Sequence, residues 1–140
     1  MTQGLTINQI EIGQSSSFAK TITETDMSLF AGISGDLNPA HINEEYSKNT
    51  MFKGRIAHGM LGASLISTVL GMYLPGPGTI YMKQDLKFLA PVRINDTITA
   101  LCTVKEKITD KNRVILDCKV TNQDGTSVIV GEAMVMAPTA

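Results

Sequence analysis

Two hydrophobic rhythms divide the sequence. From Thr79 onward the pattern has a period of two. Ile80, Met82, Gln84, Leu86 and Phe88 alternate, as do Ile98, Ala100, Cys102 and Val104. Val114, Leu116, Cys118 and Val120 follow, with Arg113, Asp117 and Lys119 on the opposite face, and Val128, Val130, Met134 and Met136 complete the series. A period of two marks half-buried strands. Pro91 with Asn95-Asp96, Asp110-Lys111-Asn112 and Asp124-Gly125 separate the runs as turns. Four consecutive strands with short connections predict an antiparallel meander.

Before Thr79 the rhythm is helical, apart from an edge strand predicted within residues 9–22. Thr23 fits a helix N-cap, Glu24 and Asp26 supply acids to the first turn, and Gly35 ends the helix. Met27, Phe30, Ala31 and Ser34 form its inner stripe. Asp36-Leu37-Asn38-Pro39-Ala40-His41 is expected to leave the helix, because Pro39 biases Asn38 toward an extended conformation. Asn43 caps a short helix to Ser47, and residues 50–55 form a loop. A long apolar helix begins near His58-Gly59 and runs to about Tyr73, stopped by Pro75-Gly76-Pro77-Gly78. Met60, Ser64, Ser67, Thr68 and Gly71 recur at spacings of three and four, a narrow stripe of small or polar groups suited to lining a pocket.

Burial then dictates an α+β architecture. A sheet with one apolar face and a helix apolar on most sides satisfy each other when the antiparallel sheet wraps around the helix, the hot-dog fold. One copy leaves a helix flank and a sheet edge exposed, so a homodimer is expected.

Length and composition narrow the function classes. The chain has 140 residues, one domain's worth, with 43% hydrophobic and 18% charged residues, which excludes intrinsic disorder. Its 12 Lys and Arg balance 13 Asp and Glu for a net charge of −1, with no basic stripe for nucleic acid. Two cysteines make no disulfide framework; Cys102 and Cys118 read as small buried residues in a reducing, cytoplasmic compartment. The start has no basic region followed by a long apolar run, so no secretory signal is expected. The stretch from Ile56 to Leu74 approaches the length of a membrane span, but His58, Ser64, Ser67, Thr68 and three glycines favour a helix buried in protein.

Both histidines stand beside features that matter. His41 follows Asp36 by five positions in the segment interrupted by Pro39. A carboxylate and an imidazole aimed at one point can share acid and base roles or jointly hold and deprotonate a water. The competing reading is a polar loop in which Asp36 and Asn38 make turn bonds. His58-Gly59-Met60 opens the long helix, whose first N–H groups lack helical acceptors. Gly59 permits close approach to those donors, which could hold a developing oxyanion, or it is a packing residue with His58 as cap. Ser67 can orient Asp36 or a water, or bond its own helix backbone. No zinc-type spacing, phosphate loop, dinucleotide glycine pattern or Gly-x-Ser-x-Gly elbow is present, so no metal and no bound cofactor is expected.

Gly35-Asp36-Leu37-Asn38-Pro39-Ala40-His41 resembles the hydratase motif of the MaoC-like hot-dog family, most closely that of its short (R)-specific enoyl-CoA hydratases. The likeness continues through Ile56-Ala57-His58-Gly59-Met60-Leu61, Leu74-Pro75-Gly76, Phe88-Leu89-Ala90-Pro91-Val92 and Asn95-Asp96-Thr97, covering roughly residues 10–136. The resemblance implies that Asp36 and His41 activate the water added to a trans-2-enoyl thioester. It implies that the Gly59 N–H holds the thioester oxygen, that Asn38 supports the dyad and that Ser67 lies near it. His58 and Met60 are then expected to contact substrate. CoA, or acyl carrier protein in its place, is the carrier, in fatty-acid or polyhydroxyalkanoate metabolism. Lys53, Arg55, Lys83, Lys87 and Arg93 are candidates for the CoA phosphates, each also readable as an ordinary solvated charge. Two alternatives stay open: a hot-dog thioesterase that aims water at the carbonyl, and a non-catalytic subunit that binds acyl thioesters.

Overall fold

A computed structural model describes residues 2–140 of the chain. Its elements in order are β1 (Ser15–Thr21), α1 (Glu24–Ser34), α2 (Pro39–Ile42), α3 (Glu44–Ser47), α4 (Gly59–Met72), β2 (Ile80–Gln84), β3 (Lys87–Phe88), β4 (Thr97–Ile108), β5 (Arg113–Thr121) and β6 (Ser127–Met136). A 3-10 turn at Thr109–Lys111 joins β4 to β5.

The strands form one six-stranded sheet in the order β1-β4-β5-β6-β2, with β3 also on β6, and all pairings are antiparallel. The predicted meander holds for β4-β5-β6. It fails for β2, which lies beyond β6 instead of beside β4, so residues 89–96 carry the chain back across the sheet. β1 is an edge strand, as its sparse apolar pattern suggests. Register shifts interrupt the ladders at Tyr81/Lys83, Val104/Glu106 and Val120/Thr121. Bulges bend strands and increase their twist, which lets the sheet curl around α4.

The last shift corrects one sequence expectation. Val120 faces Ile129 while Thr121 faces Ser127, so Val128 is the extra residue. A one-residue slip exchanges the faces of everything beyond it. Ala133 and Val135 therefore join Ile129 in the core, while Val130, Met134 and Met136 are half-buried on the outer face. The alternation read through Ile80, Met82, Gln84, Leu86 and Phe88 is likewise broken, between β2 and β3.

In the predicted inner stripe of α1, Met27 and Ala31 are buried, Phe30 is half-buried and Ser34 is exposed. Leu65, Ile66, Val69 and Leu70 of α4 pack with Ile98, Ala100 and Cys102 of β4 and Val114, Leu116 and Val120 of β5. Both cysteines are free and buried. The caps also agree: the Thr23 hydroxyl accepts from the Asp26 N–H and the Asp26 carboxylate accepts from the Thr23 N–H, a capping box.

Gly131 has a specific reason to lack a side chain. A Cβ there would lie 2.0 Å from the Asp85 carbonyl oxygen, where the backbone between β2 and β3 crosses β6. Gly131→Ala is expected to cost about 1–3 kcal/mol or more by overpacking. The urea midpoint should fall with little change in the m-value; an unchanged midpoint would mean that the crossing is loose.

Candidate active site

The segment after α1 is built from short-range bonds that fix Asp36 and present His41. Gly35 ends α1 in the left-handed region at φ 77°. The Ser34 hydroxyl donates to Phe30 O and accepts from the Asp36 N–H. Asp36 Oδ1 accepts from the Asn38 N–H at 3.1 Å, and Asn38 Oδ1 accepts from the Ala40 N–H at 3.0 Å. These are the turn bonds expected of Asp and Asn, and they coexist with an exposed Asp36 carboxylate.

The expectation of a non-helical segment is corrected at Pro39. Asn38 is extended, with φ −51° and ψ 125°, but Pro39 then opens the helical turn α2 that carries His41. Proline suits the first helical position, where its missing N–H would have no partner. Ser47, fully buried, braces this turn by donating to Pro39 O at 3.0 Å and Ala40 O at 3.2 Å.

The His41 ring is 9% exposed, with Nδ1 2.8 Å from Ile56 O. A carbonyl only accepts, so Nδ1 carries the proton and Nε2 keeps a lone pair for chemistry. Behind it, Arg55 Nε donates to His41 O at 2.7 Å while its guanidinium grips Glu24 at 2.8 and 2.9 Å. The Arg55 hydrogen bond holds the Glu24 carboxyl below the usual carboxylate range. Arg55, a candidate for CoA phosphate on sequence grounds, is thus engaged in bracing the His41 backbone.

His58 occupies the N-cap position of α4 but makes no side-chain capping bond. Its ring is 2% exposed, stacks on His41 at a centroid distance of 3.9 Å, and places Nε2 3.0 Å from Asp36 O. His58 is thus buried against the dyad, and it also borders both clefts beside Phe88. Asp36, His41 and His58 offer side-chain atoms within 4.8 Å of one another. One water making ordinary hydrogen bonds can bridge groups that far apart.

The helix N-terminus lies alongside. The first bonds of α4 run from the Leu61 and Gly62 N–H groups to His58 O, which leaves the Gly59 and Met60 donors without helical acceptors. Gly59 is exposed and faces Phe88: a Cβ would meet the ring at 2.8 Å. Both readings of Gly59 thus have an observation behind them, free donors and close packing. Phe88, which the sequence places in a strand pattern and in the Phe88-Leu89-Ala90-Pro91-Val92 stretch of family likeness, stands between two clefts of about 360 Å³ each. One includes Phe30, Ser34, Asp36, Gly59 and Met60; the other includes His41, Ile56, Gly59 and Leu89.

Met60, 55% exposed, also opens on a larger cleft of about 540 Å³ between α4 and β2. Ala63, Ser64, Ser67, Tyr81, Met82 and Leu86 line that cleft, so Met60, Ser64 and Ser67 of the predicted stripe face it, while Thr68 and Gly71 do not line it. Ser67 belongs to it and makes no hydrogen bond to Asp36 among the described residues; Ser34 serves Asp36 instead. The Tyr81 hydroxyl bonds Gln84, and burial pushes its phenol pKa up.

The MaoC like domain model matches residues 8–125 of this chain. The chain belongs to the MaoC-like domain family. Among MaoC-like relatives, an (R)-specific enoyl-CoA hydratase of Rhodospirillum rubrum is 57% identical over 129 residues, covering 92% of this chain and 89% of the relative. The unliganded R-hydratase PhaJ1 of Pseudomonas aeruginosa superposes with a TM-score of 0.93 at 45% identity, covering 99% of this chain and 88% of that one. The (R)-hydratase of Aeromonas caviae, described as involved in PHA biosynthesis, gives a TM-score of 0.90 at 38% identity, covering 92% and 98%. The MaoC-like match includes Asp36, His41 and Gly59, and the fold is the hot-dog arrangement of a sheet around α4.

Proposed function

We propose that this MaoC-like protein hydrates trans-2-enoyl-CoA to (R)-3-hydroxyacyl-CoA. The observation that carries the reading is the convergence of an exposed carboxylate and a tautomer-fixed imidazole beside a helix N-terminus with free N–H groups. Water held between Asp36 and the His41 Nε2 passes one proton to this pair as its oxygen attacks C3. Negative charge moves to the thioester oxygen, where the Gly59 N–H donates and the start of α4 is electropositive. The pair then gives a proton to C2 on the same side, which restores both groups. Nothing is oxidised or reduced, so the reaction requires no redox cofactor; CoA, or acyl carrier protein, is the substrate's carrier.

Hydrogen bonding favours proton transfer over a metal centre in the same cluster. His58 Nε2 is engaged with Asp36 O and its Nδ1 is buried, which leaves an ion two available ligands, fewer than a stable site uses. The thioesterase alternative is separated by one assay. Loss of the conjugated enoyl absorbance without thiol release is expected. Thiol release from saturated acyl-CoA would favour hydrolysis, and binding without turnover would favour a non-catalytic subunit.

The chain reads as one domain and as half of a homodimer. β2 pairs on one side only, and Ile80, Tyr81 and Met82 are exposed along it beside the exposed Met60, Ser64 and Ser67 flank of α4. An apolar edge of this kind invites a second copy. Light scattering at micromolar concentration should give twice the chain mass of 15.1 kDa; a monomer would count against the assembly. No helix among the described residues is long and apolar enough to cross a membrane. The free thiols of Cys102 and Cys118 suit a reducing, cytoplasmic setting.

A further inference from the structure

His58 is a buried polar side chain that the proposed proton transfers do not use. Its ring lies between two others: His41 at 3.9 Å with an interplanar angle of 28°, and Phe30 at 4.9 Å and 54°. Nε2 is 3.0 Å from Asp36 O, whereas Nδ1 is buried with no hydrogen-bond partner among the described residues. Asp36 O can only accept, so Nε2 bears the proton. This tautomer also leaves no buried N–H unpaired, since the unpartnered Nδ1 then carries a lone pair. Every other described hydrogen bond to Asp36 comes from Ser34 or Asn38, within two residues of it. The His58 bond is therefore the tie between the Asp36 loop and α4.

We propose that His58 is a positioning residue for the hydration. Its Nε2–H holds the Asp36 backbone, its ring face seats His41, and its own backbone leads directly into the Gly59 donor. One side chain thereby sets the spacing of carboxylate, imidazole and oxyanion donor, three groups that arrive from different elements. This rests on the Asp36/His41 reading above. His58 does not touch the reacting atoms, and its loss acts through geometry.

Three variants and one spectrum test it. His58→Phe keeps a ring against His41 and removes the donor; His58→Gln keeps an amide N–H near the Nε2 position; His58→Ala removes both. For enoyl-CoA hydration, His58→Phe is expected to lower kcat by about 10- to 100-fold, the scale of an ångström-level misplacement, with KM nearly unchanged. His58→Gln should recover most of that loss, and His58→Ala should be the worst. A folded His58→Phe protein with normal kcat would overturn the proposal. So would equal losses in His58→Phe and His58→Gln, which indicate bulk packing alone. Imidazole ¹⁵N NMR of the unaltered protein needs no variant to fold: a protonated Nε2 and bare Nδ1 at His58 are expected, and the opposite tautomer would overturn the proposal. Asp36→Asn in the same assay separates the two readings. If it retains activity, the dyad itself is wrong; if it is inactive while His58→Phe is normal, only the positioning role falls.

Discussion

Asp36→Asn and His41→Ala should each lower kcat by about 10²–10⁴-fold, the usual contribution of a general acid or base, with far smaller changes in substrate binding. The structure makes Asp36→Asn a clean substitution. An Asn side chain retains an oxygen to accept from the Asn38 N–H, so the loop keeps its shape while the base is lost. His41→Ala is less clean, because it also removes the bond to Ile56 O and the ring stacked on His58. His41→Asn is the matching control, since its amide can still donate toward Ile56 O but has nothing in the place of Nε2. Steady-state kinetics on crotonyl-CoA should show the same collapse in kcat for His41→Asn as for His41→Ala. Tenfold or smaller effects from both Asp36→Asn and His41→Ala would reject the dyad.

Gly59→Val should lower kcat by about 10²–10³-fold, the scale of losing one oxyanion donor. The bond strengthens as charge develops on the thioester oxygen, so its loss should appear in kcat more than in KM. The obstacle to a simple reading is Phe88, whose ring carbons would lie 2.8, 3.0 and 3.4 Å from a Cβ at residue 59. That ring is the free end of a half-exposed side chain and can yield, so the fold should survive. Adding Phe88→Leu to Gly59→Val separates the two causes. If crowding of the oxygen is responsible, the double variant stays slow. Recovery of the rate would assign the loss to displacement of Phe88, and a folded Gly59→Val protein with a near-normal rate would show that the oxyanion contact lies elsewhere.

Much of the site was legible because it is local. The cap at Thr23, the stop at Gly35, the five-residue interval between Asp36 and His41, and the start of α4 at Gly59 each follow from residues within a turn of one another. The features that were not legible depend on contacts distant in sequence or on single-residue irregularities. Nothing in Ser127–Met136 announces that Val128 is extra; only pairing with β5 reveals it. Pro39 reads equally well as a breaker or as the first residue of a turn, and the Asn38 cap decides between them. Arg55 looks like a solvated cation until α1 places Glu24 opposite its guanidinium. The tie from His58 to the Asp36 backbone is invisible until the Asp36 loop folds over the ring. The position of β2 beyond β6 has the same origin: antiparallel alternation specifies faces, not neighbours.

Hydration of crotonyl-CoA in D₂O, with the product examined by NMR and chiral analysis, brings these geometric statements to one readout. Asp36 and His41 offer side-chain atoms within 4.8 Å of one another, so a single water held between them should deliver hydroxyl and deuteron to the same face. The expected product is (3R)-3-hydroxybutyryl-CoA with a single deuterium at C2 in the syn relation and no free CoA. A 3S product, anti addition, or release of CoA thiol would contradict the assignment of Asp36 and His41 as the pair that delivers water.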